Sequence, residues 1–197
     1  GGGAASMTLP EAQTLSTPGT LELMRHQARF VEEVKQGHRT FLLADEPGLG
    51  KTAQALMAAS VSNSYPLLVV VPNVVKTNWA REVSLWTPQR TATVVVGDGN
   101  DVDAFSDVVI VNYEVLDRHV GWLSRFGFKG MVVDEAHFIK NLKSERSKHV
   151  MALSRSIRSL HPKALMIALT GTPLINDIDD FRAIWQFLGW IDDKKPL

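Results

Sequence analysis

The octapeptide Asp45-Glu46-Pro47-Gly48-Leu49-Gly50-Lys51-Thr52 lies between the apolar run Phe41-Leu42-Leu43-Ala44 and an alanine-rich stretch with high helix preference. A strand that delivers a glycine-bearing loop into a helix N-terminus holds an anion, because backbone N–H groups point inward and the positive end of the helix dipole faces the charge. In that arrangement Gly48, Leu49 and Gly50 form the cradle for a nucleotide. Lys51 then reaches the β/γ-phosphates and the Thr52 hydroxyl ligates Mg²⁺. The generic phosphate loop has a glycine where Asp45 stands, so the match is incomplete by itself. Downstream, the apolar strand Met131-Val132-Val133 ends in Asp134-Glu135-Ala136-His137, and Leu169-Thr170-Gly171-Thr172-Pro173 follows later. The three segments together ask for one reaction.

Hydrolysis of a nucleoside triphosphate requires an immobilised terminal phosphate, a metal ion bridging its oxygens and a water aligned for in-line attack. Lys51 supplies charge for the phosphates. Thr52 and Asp134 hold the metal, Asp134 directly or through a water, and Glu135 orients or deprotonates the attacking water. An isolated Asp-Glu pair after a strand reads as a solvated turn, and Thr-Gly-Thr-Pro as an ordinary one; their order behind a Gly-Lys-Thr loop is what gives them chemistry. None of the six histidines has a histidine four residues away and there is no cysteine, which argues against zinc at His137. Trp79 reads as a core residue.

Elements able to position these residues are visible in the apolar pattern. Thr40 to Ala44, Leu67 to Val71, Thr93 to Val96, Val108 to Val111, Met131 to Val133 and Ala164 to Leu169 are short runs of Val, Ile and Leu without clean alternation, as expected of strands buried on both faces. Helix-compatible stretches separate them: Thr52 to Ala59, Val74 to Trp86, Val115 to Arg125 and Glu145 to Leu160. An amphipathic helix is expected within Leu21 to Lys35, ending at Gly37. Repeated strand–helix–strand order predicts an α/β three-layer sandwich with a mostly parallel sheet. Ligands of such sheets sit beyond the carboxyl ends of the strands, where all three motifs converge.

Composition sets bounds. The 197 residues fit one α/β domain, and 45% apolar content is normal for a soluble core. With 21 basic and 21 acidic residues, any nucleic-acid contact must come from a local basic patch. Absence of cysteine excludes disulfides and thiolate chemistry and suits a reducing compartment. No apolar stretch approaches the ~20 residues that span a bilayer. Gly1-Gly2-Gly3-Ala4-Ala5-Ser6 reads as a cloning scar, so residues 1–19 are taken as scar and flexible lead-in and 20–197 as one folded lobe. An intracellular monomer is expected, cytoplasmic or nuclear according to source.

Asp45-Glu46-x-Gly48-Leu49-Gly50-Lys51-Thr52, Asp134-Glu135-Ala136-His137 and Leu169-Thr170-Gly171-Thr172-Pro173-Leu174 together resemble the motifs of helicase superfamily two. Their wording resembles the Swi/Snf-type DNA translocase ATPases, whose phosphate loop also lacks the first glycine. The resemblance runs from about Leu21 to about Trp190. It implies a P-loop, RecA-like N-terminal lobe that binds ATP and Mg²⁺ and acts on double-stranded DNA. By the same resemblance Gln27, in Leu23-Met24-Arg25-His26-Gln27, reads the adenine edge, although Arg25 and His26 replace the usual proline and aromatic. His137 couples the phosphate site to Thr170, Gly171 and Thr172. Pro72, Asn73, Asn112 and Tyr113 lie where relatives touch DNA phosphates. Lys140, with Lys143 and Arg146, clusters positive charge near that face, which a solvated helix entry explains equally well. Relatives carry a second lobe with arginine fingers, absent from this chain, so the lobe alone is expected to turn over ATP very slowly. An RNA-acting Asp-Glu-Ala-His helicase lobe, or a non-catalytic nucleotide-dependent binding module, stays open as an alternative.

Overall fold

In the computed structural model the described residues are 15–16, 22–23, 25–44, 50–98, 102–171 and 178–192. Two short strands, β1 (Leu15–Ser16) and β2 (Glu22–Leu23), pair antiparallel ahead of α1 (Arg25–Lys35). The first helix therefore starts later than its apolar pattern implies, because Glu22 and Leu23 are used in a ladder. The chain continues through β3 (Thr40–Ala44), α2 (Lys51–Ser62), β4 (Leu67–Val71), α3 (Lys76–Trp86) and β5 (Ala92–Val94). It then forms β6 (Val108–Asn112), α4 (Val120–Arg125), β7 (Gly130–Val133), α5 (Glu145–Leu160), β8 (Leu165–Thr170) and α6 (Asp179–Phe187).

Strands β3 to β8 make one six-stranded sheet in the order β3-β8-β7-β4-β6-β5, and every pairing is parallel. Each central strand is buried along its whole length. Successive side chains alternate between two cores, as a pleated strand requires. Phe41, Val69, Ile110, Val132 and Ile167 pack with α1, α2 and α3 on one face. Leu42, Val70, Val109, Val133 and Ala168 pack with α4, α5 and α6 on the other. Two apolar faces covered by helices explain why the strands read as continuous hydrophobic runs.

Two expected helices are divided. Residues Asn73–Val75 form a 3₁₀ turn before α3, and Tyr113–Arg118 form another before α4. The breaks fall at Val75 (φ −110°, ψ 1°) and His119 (φ −123°, ψ −7°), outside helical geometry. Helix α5 starts where a serine can cap it: the Ser144 hydroxyl accepts the Ser147 N–H at 3.2 Å, with Glu145 in the first turn. On the outer strand β3, the Trp190 indole N–H donates to Thr40 Oγ1 at 2.8 Å.

Candidate active site

Because the sheet is parallel, β3, β4, β6, β7 and β8 all point their carboxyl ends the same way. The register levels them: Ala44 pairs with Thr170, Val133 with Ala168, Val70 with Val133 and Val71 with Asn112. Strand order brings β8 beside both β3 and β7, so the segments that follow these three strands lie side by side although far apart in sequence.

Helix α2 begins at Lys51 with Gly50 as its cap (φ 157°, ψ −36°) and no side-chain hydrogen bond to the first-turn N–H groups. The Gly50 carbonyl accepts the Gln54 N–H at 2.7 Å, so the helix is regular from its first turn. Its N-terminus lies at the carboxyl edge of the sheet, where the positive end of the helix dipole favours an anion. Asp45, Glu46, Gly48 and Leu49 lie outside the described residues.

Lys51 and Glu135 converge on Gly171. Glu135 Oε1 accepts the Gly171 N–H at 3.4 Å. A methyl group added at Gly171 would lie 3.6 Å from Glu135 Oε1 and 3.8 Å from Lys51 Nζ. An ammonium and a carboxylate thus both lie within contact distance of the position a Gly171 side chain would take. Glu135 itself is held at φ 50° and ψ 57°, the left-handed region that a non-glycine residue enters at a cost of about 1–2 kcal/mol. Its carboxylate reaches the Gly171 N–H just beyond the end of β8. Strain of this kind concentrates at functional positions.

Asp134 is clamped. Its backbone N–H donates to Val70 O at 2.8 Å, its carbonyl accepts the Tyr113 hydroxyl at 2.7 Å, and Oδ1 accepts the Glu135 N–H at 2.8 Å. Oδ2 accepts the Trp79 indole N–H at 2.8 Å. Burial pushes the Asp134 carboxyl above the usual range, opposed by the Trp79 and Glu135 N–H bonds; the Glu135 charge raises it and the Lys51 charge lowers it. A divalent ion would favour the ionised form.

The donor set suits Mg²⁺. Among the described residues no group of three or more His, Cys, Asp or Glu side chains could form a metal cage. One carboxylate, one hydroxyl and ligand phosphates are what Mg²⁺ takes, since it keeps several waters and rarely occupies an all-protein site. Asp134 and Thr52 are of the types that would provide the first two.

The other expected residues divide by burial. His137 is half-buried with its ring 5.0 Å from that of Phe138, and its Nδ1 is buried without a hydrogen-bond partner among the described residues. Thr170 closes β8 and is buried, Gly171 is exposed, and Thr172 lies outside the described residues. Gln27 sits on α1, and its side chain is likewise outside the described set. Pro72 is buried, whereas Asn73 and Lys140 are exposed. Asn112 and Tyr113 are each 3% exposed, so their side chains face inward. Asn112 accepts from Lys76 Nζ at 3.3 Å and donates to Glu114 Oε1 at 3.0 Å. Tyr113 is spent on the Asp134 carbonyl; burial, then the neighbouring Asp134 charge, pushes its hydroxyl well above the usual tyrosine range.

Trp79 was not singled out from the sequence as a member of the site, and Tyr113 was expected only where relatives touch DNA phosphates. Trp79 reads as core and is core, at 1% exposure, yet its indole nitrogen is a ligand of Asp134. Tyr113 anchors the same residue through its hydroxyl. Nothing local to either position announces a partner just after β7; the one available signal was that buried Trp and Tyr must place their polar atoms somewhere.

The SNF2-related domain model matches residues 25–191. The ISWI chromatin-remodeling complex ATPase ISW2 of Saccharomyces cerevisiae is 35% identical over 161 residues, covering 75% of this chain and 14% of the relative. A human SWI/SNF-related matrix-associated actin-dependent regulator of chromatin, subfamily A member 1, is 34% identical over 182 residues, covering 79% and 17%. The solved Sulfolobus solfataricus SWI2/SNF2 ATPase core in complex with dsDNA superposes with a TM-score of 0.71 at 28% identity, covering 92% of this chain and 37% of that one. The chain thus spans about a seventh of the curated relative ISW2. The fold is the RecA-like α/β fold of that ATPase core, and the chain belongs to the SNF2-related domain family.

Proposed function

We propose that this chain, over residues 20–197, is the N-terminal ATP-binding lobe of a motor that couples ATP hydrolysis to movement on, or remodelling of, double-stranded DNA. The observation that carries the reading is the convergence of Lys51 and Glu135 on Gly171 beside the clamped carboxylate of Asp134. Lys51 and the leading amides of α2 bind the phosphates. Thr52 and Asp134 hold Mg²⁺, which when bound draws charge from the phosphate oxygens. Glu135, whose carboxylate reaches the Gly171 N–H, orients the attacking water and takes its proton. Gln27, Gly48 and Leu49 complete the nucleotide pocket, and His137 links it to Thr170, Gly171 and Thr172.

For DNA, support comes from position. Exposed Asn73 and Lys140 and the partly exposed Lys76 follow the carboxyl ends of β4 and β7, on the same edge as the phosphate site. They suit contact with phosphates, which orients a protein without reading sequence. Asn112 and Tyr113 serve that face from within, by holding Lys76 and Asp134. Arginine fingers on a second lobe are worth about 10³ to 10⁵ in rate, so the lobe by itself turns over ATP slowly.

The test is the ATPase rate of a longer chain carrying the second lobe, with and without duplex DNA, beside its Glu135→Gln variant. Strong stimulation by duplex that disappears in the variant supports the proposal. Activation by RNA in place of duplex, or no turnover, moves the assignment to an RNA helicase lobe or a nucleotide-dependent binding module.

A further inference from the structure

We infer that Trp79 is a positioning residue that ties the loop at residues 72–76 to the metal carboxylate of Asp134, so that the placement of the loop and the state of the metal site are coupled inside this lobe. The inference rests on the proposed role of Asp134 and goes beyond it, because it names a route that bypasses His137 and Thr170.

The loop leaves β4 at Pro72, turns through Asn73–Val75 and enters α3 at Lys76. Its outer side is open: Asn73 is exposed and Val74 is 87% exposed. Trp79 lies one turn into α3 and is 1% exposed, packed in the core that also holds Val71 and Val83. Its single polar atom donates to Asp134 Oδ2 at 2.8 Å, across 55 positions of sequence. A hydrogen bond to an ionised acceptor is among the stronger ones a neutral donor makes, and a buried indole has few rotamers with which to follow a displaced partner. Asp134 Oδ1 is set by the adjacent Glu135 N–H. The remaining freedom of the carboxylate is thus decided by α3.

A second connection reaches the same residue independently. Lys76 Nζ donates to Asn112 Oδ1 at 3.3 Å, and the next residue, Tyr113, donates its hydroxyl to the Asp134 carbonyl at 2.7 Å. Asp134 is therefore held at its side chain by the helix that follows the loop and at its backbone by a segment that the loop's own lysine grips. A shift of Lys76 or of the start of α3 cannot leave both contacts unchanged. By thermodynamic reciprocity, occupation of the metal site must then act back on the loop.

The experiment uses the 197-residue chain with N-methylanthraniloyl-ATP as probe, in Mg²⁺ and in EDTA, comparing wild type, Trp79→Phe and Asp134→Ala. Hydrogen exchange of a peptide spanning residues 72–76 is followed in the same states. Removing a side chain that orients a metal ligand typically costs 10- to 100-fold in metal affinity. Trp79→Phe should therefore lower the Mg²⁺ enhancement of nucleotide affinity about 10-fold or more while the affinity in EDTA stays level. Exchange at 72–76 should slow on adding Mg²⁺ and nucleotide in wild type, and respond less in the variant. A Trp79→Phe chain that keeps both responses while Asp134→Ala loses the enhancement overturns the role of Trp79 and leaves the reading of Asp134 standing. An Asp134→Ala chain that keeps the enhancement overturns that reading and this inference together. Should Trp79→Phe fail to fold, the indole N–H resonance of Trp79, identified by substituting the other four of the five tryptophans singly, carries the test in folded protein. It must shift with Mg²⁺ and nucleotide but not with nucleotide in EDTA; no shift overturns the coupling.

Discussion

Glu135 is where chemistry and stability should separate. Its backbone sits at φ 50° and ψ 57°, and its carboxylate accepts a long hydrogen bond, 3.4 Å, from the Gly171 N–H. Glu135→Gln keeps the backbone conformation and an oxygen for that N–H, so its stability should stay within about 0.5 kcal/mol of wild type. Glu135→Gly relieves about 1–2 kcal/mol of left-handed strain. It also loosens the unfolded chain by about 0.5–1 kcal/mol. The balance is a stabilisation of ~0–1.5 kcal/mol, which for a domain of this size raises Tm by up to ~6 °C. Both variants lose the proposed general base, so turnover in a chain carrying both lobes should fall about 10²- to 10⁴-fold. Thermal melts of the three proteins beside single-turnover ATP hydrolysis make the assay. A glycine variant that melts below the glutamine variant would show that the carboxylate's contacts outweigh its strain and sink the reasoning. Unchanged hydrolysis in Glu135→Gln would remove the base.

Gly130 opens β7 between β4 and β8, and a methyl there would stand 2.9 Å from Leu67 Cδ1 and 3.2 Å from the Leu165 carbonyl; Gly130→Ala should cost about 1–3 kcal/mol, read as a lower denaturation midpoint. His119 is 2% exposed, takes the Trp122 indole N–H on Nδ1 at 2.8 Å and donates from Nε2 to the Gly97 carbonyl; His119→Phe leaves both groups without their partner and should destabilise by about 2 kcal/mol or more, again by denaturant titration. The only two tyrosines, Tyr65 and Tyr113, both have hydroxyls raised above the ordinary value of 10.0, chiefly by burial. Raised folded values mean that their contribution to stability is complete below pH ~10 and is lost as pH rises through the folded values. Tyrosinate absorbance should therefore appear together with loss of near-ultraviolet circular dichroism, and tyrosinate forming in folded protein near pH 10 would contradict this.

Much of the fold was legible because parallel strands buried on both faces leave a mark that needs no partner to be seen. The runs at 40–44, 67–71 and 108–111 correspond to β3, β4 and β6 within a residue, and α5 spans the expected Glu145 to Leu160. The misses fall where local propensity competes with geometry. Val74 to Trp86 reads as one helix, but the chain must first turn out of β4, and it does so in a 3₁₀ turn. Val115 to Arg125 is divided for the same reason at the exit of β6.

Sequence alone determined the strands, of a kind that must be covered on both faces, and named the candidates for chemistry: Lys51 behind a glycine loop, Asp134 and Glu135 at a strand end, and Gly171 after another. These follow from residue type and short-range spacing, which the chain carries locally. The strand order was decided only by tertiary structure, and it is this order that sets β8 between β3 and β7 and so brings Gly171 to Lys51 and Glu135. Tertiary structure likewise turned Tyr113 and Asn112 inward and laid the Trp79 indole on Asp134. Such contacts depend on which helix covers which pair of strands, a choice made by the packing of the whole core and therefore absent from any window of the sequence.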